Sequence, residues 1–287
     1  MMITNKKQTS RSLLLSLLMT SLLFSASACS NPSAVNTDAD LTEYKQEQAD
    51  ANKSAASTEK PAFTTKTVAT FDEPWAMTAL PTVKDKAAKL LVTQKTGELL
   101  IVDTATGMKT AVTGIPKVAY GGQGGLGDII LAPDFATSSN IYISYVEAGK
   151  GADSNKFGAQ VIKAKLSGLD TDAPSLQAMT PIWEQFPKLK GQGHYSHRLL
   201  FSADGQYLYI SSGERQEKTP AQDMSMNLGK IIRLNPDGSA PADNPFAKDT
   251  SDTSIATQFW TIGHRNVLGM AFDEKGRLWA HEMGPRG

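Results

Sequence analysis

One hairpin pattern recurs four times along this chain, and it constrains the fold more than any other feature. Each copy has a short apolar strand, a polar turn rich in Asp, Gly or Pro, and a second strand of alternating apolar residues. The paired strands cover residues 75–80 with 89–93, 128–132 with 141–146, 199–201 with 207–212, and 267–272 with 278–281. Copies recur at intervals of roughly 50 to 70 residues, which is compatible with propeller blades that carry insertions.

Further strands fit between the copies. They are predicted at residues 98–102 and 109–113 in the first unit, 158–166 in the second and 229–235 in the third. No stretch sustains the apolar period of a helix without a Gly or Pro interruption. The sequence therefore predicts an all-β protein, and its four-stranded units indicate a β-propeller rather than a sandwich, which would not naturally repeat one hairpin with long intervening loops.

The fourth unit is predicted to begin near Gln258, and the sequence stops at Gly287 within it. A propeller closes into a ring, because open blades leave unpaired strand edges. We therefore expect this sequence to hold about four blades of a larger ring and to lack the C-terminal ones.

The N-terminal residues have the pattern of a signal peptide over 1–28, with three cations followed by an apolar run at 13–24. Small residues then precede Cys29, the only cysteine of the chain, as in the lipobox of bacterial lipoproteins. Lipid attachment at Cys29 is the prediction, with a plain secreted protein as the alternative. Ser30 replaces an inner-membrane retention aspartate, which favours the outer membrane, facing the periplasm.

Residues 29–61 are polar and contain hardly any large apolar side chain, which predicts a flexible tether ahead of a folded domain at 62–287. The 29 Lys and Arg residues balance the 29 Asp and Glu residues. This composition offers no basic face for nucleic acid.

Two polar stretches precede consecutive repeats. His194, His197 and Arg198 stand directly before the third repeat, and Arg265 and Asn266 stand before the fourth. Histidine titrates near neutrality, so one at the start of a strand is a candidate general base, although such residues are more often structural. Because equivalent blade ends converge on the channel of a propeller, this echo predicts a ligand pocket, with solvated turns as the alternative.

Two motifs suggest a ligand site, but the sequence around each of them argues against it. Residues 122–127 satisfy the G-x-G-x-x-G pattern, but a short strand ended by Pro133 follows instead of a helix, so we expect a glycine-rich crossover between blades. His194 and His197 are three residues apart, which on an extended chain turns them to opposite faces and argues against a shared metal ion.

Many short motifs occur in one consistent order. They are Pro74-Trp75, Gly122-Gln123-Gly124-Gly125-Leu126, Leu131-Ala132-Pro133-Asp134-Phe135, Pro187-Lys188-Leu189 before His194 and Arg198, Ala221-Gln222-Asp223, Gly229-Lys230, Arg233-Leu234, Asp243-Asn244-Pro245-Phe246, Gly263, Arg265-Asn266, Gly269-Met270 and Gly284-Pro285-Arg286-Gly287. Through them the chain, from about Pro74 to Gly287, resembles the soluble pyrroloquinoline quinone (PQQ)-dependent sugar dehydrogenases, the glucose/sorbosone and aldose sugar dehydrogenase family.

The resemblance implies a six-bladed propeller that holds PQQ over a calcium ion and oxidises the C1 hydroxyl of aldoses to lactones. It implies that His194 is the base that takes the hydroxyl proton while hydride passes to the quinone. It also implies that Gln123, Arg265 and Asn266 contact the quinone, and that the backbone carbonyls of Gly284 and Pro285 bind calcium. The implied partners are an aldose and a periplasmic electron acceptor.

This sequence departs from the family after the base, where Tyr195, Ser196 and His197 replace small residues. We expect the sugar side of the pocket to be altered there, with His197 marking a difference in substrate. An acidic calcium ligand is expected beyond Gly287, so the fragment alone is expected to be inactive. The alternatives are a non-catalytic propeller lipoprotein that serves as a scaffold or sugar-binding module, and a calcium-dependent lactonase, for which these blades show no carboxylate cluster.

Overall fold

The computed structural model describes residues 63–82, 84, 86–249 and 251–285. The predicted signal peptide at 1–28, Cys29 and the rest of the predicted tether to residue 61 lie outside these ranges. Within them, no helix has the length and apolar character needed to cross a membrane.

The described chain contains fourteen strands. They are β1 (Pro74–Ala79), β2 (Lys89–Gln94), β3 (Glu98–Asp103), β4 (Lys109–Val112), β5 (Leu126–Leu131), β6 (Asn140–Ala148), β7 (Phe157–Ser167), β8 (Ser175–Glu184), β9 (Ser196–Phe201), β10 (Leu208–Ser212), β11 (Lys230–Leu234), β12 (Phe259–Ile262), β13 (Val267–Phe272) and β14 (Leu278–Glu282). Among the described residues, the connections contain one short α-helix, α1 (Phe135–Ser138), and three 3₁₀ turns (Gly151–Asp153, Pro220–Gln222 and Ile255–Gln258).

The strands form three antiparallel four-stranded sheets and one hairpin. The sheets have the orders β1-β2-β3-β4, β5-β6-β7-β8 and β9-β10-β11-β12, and the hairpin is β13-β14. The first strands of successive sheets contact each other, β1 with β5, β5 with β9 and β9 with β13. This is the arrangement of propeller blades around a common axis, so the predicted all-β propeller is confirmed, with three complete blades and the inner hairpin of a fourth.

Two predicted details were wrong. Residues 175–184 carried no strand prediction, but β8 there is the outer strand of the second blade. The fourth blade begins at Val267, since β12, beyond Gln258, pairs with β11 and completes the third blade. β8 was missed because its middle is exposed and contains Pro181, so it lacks the alternation of a half-buried strand. β12 follows β11 after the long connection 235–258, and only the sheet pairing shows to which blade it belongs.

The alternating side chains of β6 show why the blades stack. Ile141 and Ile143 are buried against the first blade's apolar residues, whereas Tyr142 and Val146 belong to the apolar cluster shared with the third blade. Successive side chains of a strand point to opposite faces, so a strand between two blades is apolar on both. Each such aliphatic side chain contributes about 1.5–3 kcal/mol when fully buried.

Three buried hydroxyl groups join neighbouring blades, and we call Thr93, Ser144 and Ser211 the inter-blade hydroxyls. Each lies on the second strand of its blade and is fully buried. Each accepts a backbone N–H from the inner strand of its own blade, at 2.8–3.0 Å. Each also donates to a backbone carbonyl of the next blade's inner strand, at 2.7–3.1 Å. The inner strands, which position the site, are therefore linked in series.

Candidate active site

The loop before β9 holds His194 in an unusual backbone conformation. His194, Ser196 and His197 all have positive φ values, of 48°, 58° and 51°. Left-handed backbone at a non-glycine residue is costly and persists only where the surroundings enforce it. Gly213 passes so close that a Cβ there would lie 1.9 Å from the carbonyl oxygen of His194. This loop is therefore fixed by tight packing.

The Arg215 side chain also fixes the loop before β9. Its guanidinium donates hydrogen bonds to the carbonyl oxygens of Gly191 at 2.7 Å and Gly193 at 3.0 Å, and it lies 3.8 Å from the centre of the Tyr195 ring. Arg215 is buried, so these bonds are shielded from water. Arg215 therefore contacts the residues on both sides of His194 in the chain, Gly193 and Tyr195.

Glu214 is the partner of the predicted base. Both side chains are buried, at 4% exposure each, and the Glu214 Oε1 is hydrogen-bonded to His194 Nδ1. Glu214 Oε2 accepts the N–H of Lys218 at 2.7 Å. Burial by itself raises the pKa of Glu214, but the hydrogen bonds from His194 and Lys218 outweigh it, and the pKa lies below its ordinary value. The carboxylate is therefore ionised at neutral pH.

This pairing determines which nitrogen of His194 can accept a proton. Nδ1 carries its hydrogen toward the Glu214 carboxylate, so Nε2 presents its lone pair, and within the described residues Nε2 has no hydrogen-bond partner. The sequence prediction missed Glu214. The hairpin register would have found it, because Ser196 pairs with Ser212 and the antiparallel register then brings residue 194 opposite residue 214.

Gln123 lies against the same histidine. The glycine-rich segment at 122–127 leads directly into β5, which confirms the predicted crossover between blades. Gln123 N–H donates to the Gln192 carbonyl at 2.7 Å, and Gln123 Oε1 accepts the His194 backbone N–H at 2.7 Å. With its oxygen engaged in this way, Gln123 keeps an amide NH₂ group that makes no hydrogen bond to the described residues.

Glu282, at the end of β14, organises the second polar stretch. Its Oε2 accepts the backbone N–H groups of Arg265 at 2.6 Å and Asn266 at 3.1 Å. Its Oε1 is 2.8 Å from His264 Nδ1. Burial by itself raises the pKa of Glu282, but these hydrogen bonds outweigh it and the pKa is lowered. One carboxylate therefore fixes the loop that carries two of the three predicted quinone contacts, Arg265 and Asn266.

The same loop is hydrogen-bonded to Met283, the residue directly before the predicted calcium ligands Gly284 and Pro285. Arg265 Nη1 donates to the Met283 carbonyl at 2.6 Å, and Met283 N–H donates to the Asn266 carbonyl at 3.1 Å. Gly284 and Pro285 follow directly, Gly284 half-buried and Pro285 exposed. Their carbonyl groups are the kind of hard oxygen ligand that Ca²⁺ takes. No cluster of three His, Cys, Asp or Glu side chains able to hold a metal occurs in the described ranges.

Two hydrogen bonds join the surroundings of His194 to the loop of Arg265 and Asn266. Glu214 N–H donates to the Arg265 carbonyl at 2.9 Å, and Ser196 Oγ donates to Asn266 Oδ1 at 3.0 Å. Asn266 is 1% exposed, and its Nδ2 has no hydrogen-bond partner among the described residues. A buried amide donor without a partner is uncommon and fits a ligand that carries acceptor oxygens. The segments that carry His194, Gln123, Arg265 and Asn266, predicted separately, are therefore hydrogen-bonded to one another.

The expectations for Tyr195 and His197 were wrong. Both are 1% exposed and lie in the core between the blades, where they cannot touch a sugar. The His197 ring stacks on Trp75 with 6.0 Å between ring centres. Ser144 Oγ accepts the Asp128 N–H and donates to the His197 carbonyl, so its 2.8 Å contact with His197 Nδ1 must be a hydrogen bond donated by that nitrogen. His197 is therefore a neutral structural histidine, and burial lowers its pKa to about 3.

Comparison with known proteins agrees with this geometry. The profile of the family described as Glucose / Sorbosone dehydrogenase matches residues 71–287. Aldose sugar dehydrogenase YliI of Escherichia coli is 38% identical over 218 residues, which are 76% of this chain and 55% of that protein. Quinoprotein glucose dehydrogenase B of Acinetobacter calcoaceticus is 30% identical over 216 residues, which are 68% of this chain and 43% of that protein.

Solved structures show the same likeness. The crystal structure of the soluble aldose sugar dehydrogenase of Escherichia coli in its apo form superposes with a TM-score of 0.66 at 38% identity, over 75% of this chain and 58% of that one. The PQQ-bound aldose sugar dehydrogenase of Streptomyces coelicolor gives 0.64 at 31% identity, over 76% and 59%. This chain spans about half the length of the curated relatives it matches. By sequence and by fold, the chain belongs to the glucose/sorbosone dehydrogenase family.

Proposed function

We propose that this protein oxidises the C1 hydroxyl of aldose sugars to the corresponding lactones with PQQ as its cofactor. The observation that carries the proposal is the buried His194–Glu214 pair, which leaves His194 Nε2 without a partner among the described residues, in a loop that is hydrogen-bonded to Gln123 and to the loop of Arg265 and Asn266. The names of the relatives agree with it, since they include an aldose sugar dehydrogenase, a quinoprotein glucose dehydrogenase and a PQQ-bound structure.

His194 acts as the general base. Oxidation of an aldose at C1 removes the hydroxyl proton and a hydride from the carbon, and a C=O bond forms from the electron pair of the O–H bond. When bound, PQQ supplies the two-electron acceptor for the hydride. His194 Nε2 takes the proton, and the ionised Glu214 stabilises the imidazolium that results. The same carboxylate keeps Nε2 turned toward the substrate throughout.

The residues that would hold PQQ offer hydrogen-bond donors to its carboxylate and quinone oxygens. The Asn266 amide and the Gln123 amide are donors without partners in the described part of the chain. Arg265 donates one N–H to Met283 and retains others, together with its positive charge. We propose that the carbonyl oxygens of Gly284 and Pro285 bind the calcium ion. A calcium ion at that position would attract the carboxylate and quinone oxygens of PQQ.

We also propose that a lipid on Cys29 anchors the protein to the outer membrane, facing the periplasm, where an electron acceptor would reoxidise the cofactor. The basis is the residue pattern around Cys29. Replacement of Cys29 by Ser should move the protein from the membrane fraction to the soluble fraction of cells. Retention of the Cys29→Ser variant in the membrane fraction would contradict the anchor.

The catalytic proposal is tested by reconstituting the full-length gene product with PQQ and Ca²⁺ and following the reduction of an electron-accepting dye by aldoses. We expect PQQ-dependent activity in the wild type and a loss of roughly 10²- to 10⁴-fold in His194→Ala, the range that a general base contributes. Absence of activity in the reconstituted wild type would refute the proposed reaction, and equal activity in both proteins would refute the role of His194.

A further inference from the structure

Lys230, the first residue of β11, is a buried lysine to which the catalytic proposal gives no role. Its exposed fraction is 0%, whereas charged side chains are almost never fully buried unless they are paired. In the third blade it lies opposite Ile262, the last residue of β12. The connection from β12 to β13 starts there, so Lys230 lies beside the loop that carries Arg265 and Asn266.

The Lys230 side chain donates to three backbone carbonyl groups. Its Nζ lies 2.9 Å from the carbonyl oxygen of Pro220, 3.1 Å from that of Ala221 and 2.8 Å from that of Leu228. Burial lowers the pKa of Lys230 to about 8 against the attraction of the Asp223 carboxylate, so the ammonium form still predominates at pH 7. An ammonium group has three hydrogens, and all three are engaged here.

These bonds tie the 3₁₀ turn at 220–222 to β11. The turn in turn contacts the quinone-binding loop, because the Ala221 carbonyl also accepts the Gly263 N–H at 2.9 Å. In the described part of the chain, the other hydrogen bonds of the turn run within residues 219–223. Lys230 is therefore the side chain whose hydrogen bonds fix the carbonyl that receives the Gly263 N–H.

Gly229 brings the turn, β11 and the loop into direct contact. Its φ is 66°, and a Cβ there would lie 2.6 Å from both the Ala221 Cβ and the His264 carbonyl oxygen. The Gly229 carbonyl accepts the His264 N–H at 3.0 Å. Since Glu282 accepts the next two N–H groups, all four N–H groups of residues 263–266 are hydrogen-bonded, the first of them to the turn that Lys230 holds.

We propose that Lys230 is a positioning residue for the cofactor site, which fixes the start of the loop that carries Arg265 and Asn266 by holding the 220–222 turn against Gly263. The inference rests on the proposed function, because it concerns two of the residues proposed to hold PQQ. Without the ammonium, the loop must be ordered when the cofactor binds, and this ordering reduces the affinity. Lys230 thereby acts on PQQ binding without touching PQQ.

The first test measures hydrogen exchange of the full-length gene product without cofactor, by mass spectrometry. Lys230→Met keeps an unbranched side chain but removes the three donors. Lys89→Met is the control, because Lys89 Nζ also donates to a backbone carbonyl, that of Leu169 at 3.2 Å, but lies in the first blade. We expect the amides of residues 263–264 to exchange roughly tenfold faster in Lys230→Met, the effect of one lost hydrogen bond, and as in the wild type in Lys89→Met.

The second test titrates the same proteins with PQQ in the presence of Ca²⁺ and follows the tryptophan fluorescence. We expect the Kd for PQQ to rise roughly tenfold in Lys230→Met and to stay unchanged in Lys89→Met. Lys230 is not hydrogen-bonded to His194 or Glu214. The effect on oxidation should therefore fall on the PQQ concentration that gives half-maximal activity rather than on kcat at saturating PQQ. A mere loss of folded protein would instead lower kcat.

Unchanged exchange at residues 263–264 in Lys230→Met would overturn the proposal, as would faster exchange along the whole chain or an unchanged Kd for PQQ. If Lys230→Met fails to fold, Lys230→Gln takes its place, since its amide keeps two of the three donors, and exchange equal to that of the wild type would overturn the proposal in the same way. Failure of the wild type to bind PQQ would refute the proposed function, whereas the exchange measurement would still decide whether Lys230 holds the loop.

Discussion

At the scale of single residues, the site depends on which nitrogen of one imidazole is free. Glu214 occupies Nδ1 of His194 and leaves Nε2 open, while Gln123 and Arg215 hold the loop through its backbone. The strained φ of His194 is therefore supported by contacts on three sides. The chemistry proposed for His194 rests on this support as much as on the ring itself.

Replacement of Glu214 by Gln should leave the fold in place and slow oxidation. The amide keeps a hydrogen bond to His194 but no longer stabilises the imidazolium, and its NH₂ group can turn the ring. We expect kcat to fall by roughly 10²-fold with a smaller change in KM, as misorientation of a catalytic group does. Steady-state kinetics measure this. An unchanged kcat would show that Glu214 has only a structural role.

His197 gives the protein a pH dependence of stability that is separate from catalysis. Its pKa is 6.5 when unfolded and about 3 when folded, so between these values only the unfolded chain binds a proton there. The free energy of unfolding must therefore fall as the pH decreases below about 6.5, by about 2 kcal/mol from pH 7 to pH 5 from this residue alone.

The matched variant is His197→Asn, whose amide NH₂ takes the place of Nδ1 and can still donate to Ser144 but does not titrate. Urea unfolding at several pH values above about 5, where few carboxylates titrate, isolates the imidazole. We expect a shallower loss of stability with falling pH in the variant. Identical slopes in the two proteins would contradict the account of His197 as a neutral core residue.

At the scale of elements, the inter-blade hydroxyls Thr93, Ser144 and Ser211 connect the second strand of each blade to the inner strand of the next. Removal of one hydroxyl leaves a buried N–H and a buried carbonyl without that partner. We expect Thr93→Val, Ser144→Ala and Ser211→Ala each to lower the free energy of unfolding by about 1–3 kcal/mol. Urea denaturation measures the change.

Ser225→Ala is the control, because its hydroxyl is exposed and bonds only the nearby Asp223. Its expected effect lies within about 0.5 kcal/mol. If the three buried variants matched this control, the hydroxyls would not link the blades. Such a result would leave the stacking of the blades to their apolar faces alone.

The strands were predictable from the sequence where they alternate, and the hairpins at the start of each blade were all found. The outer strand β8 was missed, and β12 was assigned to the wrong blade. The exposed middle of β8 and its Pro181 leave no alternating pattern, and the long connection before β12 hides the blade to which that strand belongs. The same limit applied to the site. His194, Gln123, Arg265 and Asn266 were predicted from short sequence motifs, whereas Glu214 could be found only from the pairing register of β9 with β10. The predicted substrate contact of His197 was wrong because this side chain is buried between the blades. The local sequence pattern does not show such burial.

At the scale of the whole molecule, three blades and a hairpin bring the ends of their inner strands to one place. Gln123 precedes β5, His194 precedes β9, and Arg265 and Asn266 precede β13. These four residues come from the turns that lead into three different blades. The proposed function is therefore a property of the assembled propeller, and no blade could supply it alone.

The most direct test is the single-turnover reduction of bound PQQ by an aldose, followed by stopped-flow absorbance in wild type and in His194→Ala, with Ca²⁺ present and cofactor binding measured in both. The account predicts that both proteins bind PQQ alike and that reduction is at least about 10²-fold slower in the variant. Equal rates of reduction would contradict the assignment of His194 as the base that takes the C1 hydroxyl proton.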